Sequence, residues 1–581
     1  MRVLGFLLTL LLLPLSAPGP EDYPQDYFRS PLGIPLSLSG NFAEMRSNHF
    51  HTGLDLRTNA QTGYRVYAAA EGIVVRVAVA GGGYGNALYV QHPNGYTTVY
   101  GHLERFEEPL ASYVKEMQYS RRSFAVNLFP DAGRFRFAKG DVIAYSGNSG
   151  SSGGPHLHFE IRDTATSEPL NPLFFGLPVV DTTRPTIYRI KVYVNEPTSM
   201  AAVLSSNGDT LATARPGRPA SVEAEAGTSP GEYRLVRGAR IFAHGSVGFG
   251  IQAHDYQDRS QSRLGLYSVQ LTADQLPIFR SEMERMNFGR QRYINAHLDY
   301  RERLVNRRWI QRSHLLPGNA LPLYQTERNG FLAVRPSDRI PMRYDLADAK
   351  GNTATLEFDL VGAALPSPPV PRRDGYLVSP GQAESLVMPG VIVRIPRKAL
   401  YEDVELMYSS AEPPRGTYSR RHNIHSATTP LHKWVTVSIE PTDLPARLRP
   451  KALLARISGS NLISSGGEYE NGYVTGRTRT FGSYVVAVDT IAPAIKPLNI
   501  SDGADMRNQS RIRFNVRDER SGILRFQGRI DGNWILFEHD PKRSLIQHTF
   551  DGRVGPGRHE VSLRVEDGKG NVTQYRAAFT R

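Results

Sequence analysis

The chain has 581 residues, more than one hydrophobic core organises, so several domains are expected. Its 40% hydrophobic and 22% charged residues are ordinary for soluble globular protein, and the absence of cysteine excludes disulfides, a lipidated-cysteine anchor and thiolate metal ligands. The net charge of +13 favours an anionic partner, but scattered arginines and an export-like N-terminus argue against nucleic acid and for an anionic envelope surface; the same charge also aids solubility.

The segment MRVLGFLLTLLLLPLSAPGP opens with Arg2, runs apolar from Val3 to Leu15 and ends in small residues. That order predicts a signal peptide over residues 1–19, and the run is short for a membrane span, so an exported protein, secreted or periplasmic, is expected. PLGIPLSLSGNF then reads as a first strand. From Arg65, short β-branched and aromatic runs alternate with Gly and Asn turns: RVYAAAEGIVVRVAVA, GGGYGNALYVQH and GYTTVYGHL. KGDVIAYSGNSGSSGGPHLHFEIRD closes the block, and an antiparallel β domain over 21–178 is expected, without an amphipathic helix. A long aromatic and Arg-rich insertion at about 104–138 breaks the even strand spacing, and such a length carries either function or its own structure.

The rest of the chain holds an internal repeat. DTTRPTI begins at Asp181 and DTIAPAI at Asp489, and each unit ends in an Asp-x-Lys-Gly-Asn turn, Asp348 to Asn352 and Asp567 to Asn571. HDYQDRSQSRLG and RDERSGI occupy similar positions between them. Two immunoglobulin-like β-sandwich modules, 181–362 and 489–581, are expected, the first with an insertion at about 276–333 that includes RERLVNRRWIQR. PSPPVPRR, Pro366 to Arg373, reads as a linker to a third β-sandwich module over 375–488. The fold class expected is all-β. The Asp-x-Lys-Gly-Asn turns lack the alternating Asp of a calcium loop, and nothing in the accessory modules names their partners.

Three separated segments of the first domain carry the chemistry: HTGLD with His51 and Asp55, YGHL with His102, and HLHF with His156 and His158. A single histidine on a strand is usually structural, but four of sixteen fall in these short segments beside an Asp. His156 and His158 stand two apart, so a strand turns both to one face, and Gly53 permits a bend that brings His51 and Asp55 together. Two histidines and a carboxylate suit zinc with a fourth position open to water, while two further histidines suit proton transfer. His49 and His92 read as structural, and Tyr84, Asn86 and Tyr100 as cleft-lining, core or turn residues. The Gly-rich run before HLHF lacks the Gly-Lys-Ser/Thr of a phosphate loop and reads as a tight turn.

HTGLD, AAAEGIVV, GYGNALYVQH, TTVYGHL, KGDVIAYSGNSG and GPHLHFEIR, in this order over roughly residues 40–172, resemble the lysostaphin/LytM-type zinc metallopeptidases. The resemblance implies His51, Asp55 and His158 as Zn2+ ligands and His102 and His156 as catalytic histidines. It further implies peptidoglycan stem or cross-link peptides as substrate. A non-catalytic or latent envelope regulator is the alternative.

Overall fold

The computed structural model describes residues 23–366 and 374–581; the expected signal peptide and all of the linker but Pro366 lie outside the described residues. Most β-branched runs of the first domain pair into one antiparallel sheet, while Arg65–Tyr67, Val142–Tyr145 and Arg105–Phe106 form a second, three-stranded one. The larger sheet positions the site. Its strands are β1 (Leu38–Gly40), β2 (Leu54–Arg57), β3 (Gly72–Val79), β4 (Asn86–Gln91), β5 (Tyr96–Leu103), β6 (Val126–Leu128) and β7 (His156–Asp163). The spatial order is β1-β2-β7-β5-β4-β3-β6, with Arg136–Phe137 and Pro169–Leu170 pairing onto β3 and β7. Thus β7, late in sequence, lies between β2 and β5, and the register sets His158 opposite Asp55 on one side and Gly101 on the other.

Strand periodicity then divides the chemistry from the core. Leu157, Phe159 and Ile161 of β7 are fully buried among Leu54, Leu56, Leu88, Tyr100 and Val74. Each such side chain contributes about 1.5–3 kcal/mol by leaving water. His156, His158, Glu160 and Arg162 take the alternate positions and face the other way.

The first domain does contain a helix, one that sequence patterning did not mark. The insertion folds as α1 (Leu110–Arg121) and then β6. Only Leu110, Val114 and Gln118 are buried, one residue per turn and one of them polar, so its apolar stripe is too narrow to read as amphipathic. Arg122 ends the helix in the left-handed region at φ 46°.

The remaining chain is also mostly β. Residues 186–362 form one 13-stranded sheet in which the 15-residue strand Arg240–His254 pairs with both Thr186–Val194 and Thr353–Gly362, bending the sheet back on itself. Two five-stranded sheets follow within 384–488, and a four- and a five-stranded sheet face one another within 494–580. Among the described residues, no helix is long and apolar enough to cross a membrane.

Candidate metal centre and active site

The structure brings all five sequence-predicted residues together. His51 precedes β2, Asp55 lies on it, and His156 and His158 lie on β7. His102 lies near the end of β5, where the β4–β5 register shifts and its backbone turns to φ 58°. That irregularity re-aims the side chain, as a bulge does beside a site. The His102 and His156 rings stand 4.8 Å apart between centroids, and His102 and His158 5.8 Å.

Gly53 lies at a bend, as expected, and also permits close packing. A Cβ there would lie 2.3 Å from the Phe159 carbonyl and 2.8 Å from the Glu160 Cγ, so the glycine permits β2's entry to press against β7. The Gly-rich run before β7 is a tight turn, as expected. Gly150 is at φ 70°, and a Cβ on it would meet the Gly85 amide at 2.3 Å. Two loops, 81–85 and 147–154, therefore interlock beside the site, tied by Ser151 N–H to the Gly83 carbonyl at 2.9 Å and Asn86 N–H to Ser149 Oγ at 2.9 Å.

Hydrogen-bond partners fix the tautomer of each ring. A backbone carbonyl only accepts, so the nitrogen facing it carries the proton. His51 Nδ1 faces the Asn41 carbonyl at 2.7 Å, His102 Nδ1 faces Ser149 at 2.9 Å, and His156 Nδ1 faces Gly154 at 2.8 Å. In these three the neutral ring leaves Nε2 as a lone pair. His158 is reversed: its Nε2 donates to Glu160 Oε1 at 2.8 Å, leaving Nδ1 free to bind.

Three lone-pair atoms consequently converge. His51 Nε2, His158 Nδ1 and Asp55 Oδ1 are each 3.0 Å from the other two. Such a triangle repels itself unless a cation or a proton occupies it. Its donors are imidazole nitrogen and carboxylate oxygen, the set zinc accepts. His156 Nε2 lies 3.2 Å from Asp55 Oδ1 but out of hydrogen-bonding alignment, a buried nitrogen without a partner.

Electrostatics follow the same geometry. Burial pushes His51 down to about 4 and, with the neighbouring His158 and His156, His102 down to about 3, so both are neutral at pH 7. For His158, burial acts downward, but hydrogen bonds to Asp55 and Glu160 outweigh it and raise the ring to about 9. The proton it holds is the one a metal displaces.

Sequence reasoning missed the supporting shell. Glu160, fully buried, accepts from Thr52 Oγ1, Tyr84 Oη and Arg162 Nε, each at 2.6 Å. Arg46, from the hairpin Met45–Arg46/His49–Phe50, donates to Asp55 Oδ2 at 2.6 Å and leaves Oδ1 to the histidines. The signal for Glu160 and Arg162 was present in HLHFEIR, which continues the period of two beyond the histidines. Nothing near Arg46 in sequence marks it.

Residues 49–119 match the family described as Peptidase family M23, and residues 375–489 match the Zu5-like domain. The peptidase match takes in His51, Asp55 and His102 and ends before β7. The chain is 34% identical over 134 residues to a DD-carboxypeptidase/endopeptidase Mpg of Neisseria meningitidis serogroup B, covering 23% of this chain and 24% of that relative. It is 35% identical over 128 residues to an uncharacterized metalloprotease of Haemophilus influenzae, covering 22% and 21%. The alignments thus span about a quarter or less of either relative's length. A solved catalytic domain of the prophage-encoded M23 protein EnpA from Enterococcus faecalis is 22% identical, covering 25% of this chain and 95% of that one, at a TM-score of 0.19, too low to carry an argument.

Proposed function

We propose that this chain, whose first domain belongs to peptidase family M23, the lysostaphin/LytM type, is an exported zinc metalloendopeptidase that hydrolyses peptide bonds of bacterial cell-wall peptidoglycan. The triangle of His51 Nε2, Asp55 Oδ1 and His158 Nδ1 carries the reading. Its naming as a wall enzyme is supported by the matched relative called a DD-carboxypeptidase/endopeptidase. In this reading His51, Asp55 and His158 hold the zinc, which when bound activates a water and polarises the scissile carbonyl.

The chain's own residues supply the rest. Glu160 and the Asn41 carbonyl orient the two ligand rings, and Arg46 holds Asp55 so that one oxygen faces the centre. His102 and His156 present unprotonated Nε2 atoms, suited to take a proton from the attacking water and return it to the leaving amine. The interlocked glycine-rich loops keep much of the rim free of bulky side chains, which suits close approach of an extended peptide. The domain boundaries 21–178, 181–362, 375–488 and 489–581, the immunoglobulin-like character of the second and last units, and an anionic envelope surface as partner belong to the same proposal.

The test is digestion of isolated cell walls by the purified full chain, with mass spectrometry of the released fragments. His158→Ala is expected to remove bound zinc and activity together. His102→Ala is expected to remove activity and keep the metal. Zinc-loaded protein that leaves walls intact would sink the enzymatic reading.

One observation favours a latent form as second reading. Lys542 of the last module donates to Asn148 Oδ1 and the Ser152 carbonyl, both at 3.1 Å, on the loop beside His156. Lys542→Ala then raises the hydrolysis rate if that contact restrains the cleft, and leaves it unchanged if it does not.

A further inference from the structure

The repeated motifs of the accessory modules gather their aspartates in space. Asp181 opens DTTRPTI, Asp255 directly follows the strand Arg240–His254, and Asp348 begins the Asp-x-Lys-Gly-Asn turn. One carboxylate oxygen from each lies within 4.8 Å of the other two. The last module repeats the arrangement at equivalent places: Asp489 opens DTIAPAI, Asp518 follows the strand Arg511–Arg517, and Asp567 begins the second turn, again within 4.8 Å.

An acidic cluster alone means little, and the second triad is internally satisfied. Asp489 Oδ2 accepts from Ser521 N–H, Asp518 Oδ2 from Arg520 and Gly522 N–H, and Asp567 from Lys569 and Asn571. The first triad differs at one atom. Asp255 is 2% exposed, and its buried Oδ1 meets no hydrogen-bond donor. Its companions are differently placed: Asp348 accepts from Lys350 N–H and from Asn352, and Asp181 from Thr183 N–H. A buried, unpartnered carboxylate oxygen costs several kcal/mol in the absence of a cation or proton. Burial, with Asp348 and Asp181 adding to it, pushes the Asp255 carboxyl up to about 8, and burial raises Asp181 to about 6.

We infer that Asp181, Asp255 and Asp348 form a calcium site that fastens the second module to the first domain. All donors are hard carboxylate oxygens, which select Ca2+ or Mg2+ over zinc. Ligands on a calcium shell of about 2.4 Å stand up to about 4.8 Å apart, so one Ca2+ reaches an oxygen of all three aspartates. The site also stands at the junction. Asp181 lies just past Val179 of the first core, and Leu264, which bridges to Asp255, is buried in that same core. Gln257, two residues past Asp255, donates to the Leu36 and Val180 carbonyls at 3.2 and 3.1 Å and accepts from Leu38 N–H at 2.7 Å. Leu38 lies on β1, which pairs with the strand that bears Asp55. The three aspartates come from segments far apart in the chain, which is why no single calcium-loop spacing shows in the sequence.

The experiment is calorimetric titration of the zinc-loaded full chain with CaCl2, alongside melting curves in calcium and in a calcium chelator. The wild type is expected to bind Ca2+ with a Kd no weaker than the roughly 0.1–1 mM of extracellular calcium modules. Asp255→Asn is expected to lose one equivalent or weaken it at least tenfold, and to melt no lower than wild type in chelator, because the substitution removes the buried charge. Calcium then raises the wild-type melting temperature and leaves that of the variant behind. No Ca2+ uptake by the wild type up to about 10 mM overturns the inference. So does an Asp255→Asn protein that binds the same equivalents with the same affinity, or one gaining as much melting temperature from calcium. Wall hydrolysis is not among the readouts, so the calcium result and the peptidase result stand or fall separately.

Discussion

At the scale of single residues, the candidate centre depends on atoms that hold other atoms. Glu160 contributes no donor to the metal triangle, yet it alone fixes the proton of His158 on Nε2. Glu160→Gln is expected to weaken zinc binding roughly 10–100-fold with the fold retained, measured by competition with a chromophoric chelator. Gly53 is constrained by contact with β7: Gly53→Ala drives a Cβ into the Phe159 carbonyl and is expected to destabilise the protein by about 1–3 kcal/mol in thermal melts. The pattern H-x-H-x-E-x-R made the face of β7 legible in sequence, because a strand alternates whatever its surroundings. Arg46 was illegible, since its role arises only when a hairpin nine residues upstream folds back onto Asp55.

At the scale of elements, the insertions are struts. Helix α1 meets the last module through Tyr119, whose ring packs edge-on against Trp534 at 5.3 Å and under Arg553 at 3.8 Å, while Lys115 pairs with Asp551 at 2.9 Å. The Arg-rich insertion of the second module likewise turns inward. Asp299 and Glu302 each hold the buried Lys191 ammonium at 2.8 Å, and Arg312 stacks over Tyr193 at 4.9 Å. Asp299→Ala leaves Lys191 underpaired in the interior and is expected to cost about 3–5 kcal/mol in denaturant unfolding. A sequence window reports an element's own periodicity, and α1 buries only one residue per turn on the sheet, so its partners stayed hidden.

At the scale of the whole molecule, buried histidines set the response to pH. His51 and His254 are pushed down to about 4, and His102, His297 and His314 to about 3, by burial. Each is neutral when folded and protonates near 6.5 when unfolded, so its contribution is complete above pH 6.5 and lost as pH falls toward 3 to 4. His158 has the opposite sign in metal-free protein: raised to about 9, it contributes fully below 6.5 and loses that contribution as pH rises through 9. Melting temperatures of chelator-treated protein are therefore expected to fall on the acid side below about pH 6.5 and, less steeply, toward pH 9. Zinc affinity is expected to rise over the same alkaline range, as the His158 proton leaves. A melting curve flat from neutral to acid pH would contradict this account.

The sequence by itself determined the β character, the order of the short strands and the repeat, and it singled out His51, Asp55, His102, His156 and His158 as candidates. Those are properties of period and spacing, which local backbone geometry enforces before any packing occurs. Tertiary structure alone decided that β7 lies between β2 and β5, that Glu160 and Arg46 complete the surroundings of the metal triangle, and that Asp181, Asp255 and Asp348 meet. The physical reason is common to all three. Each meeting, from Arg46 and Asp55 nine residues apart to Asp55 and His158 more than a hundred, is fixed by which apolar faces are buried together, a quantity no single stretch of chain contains.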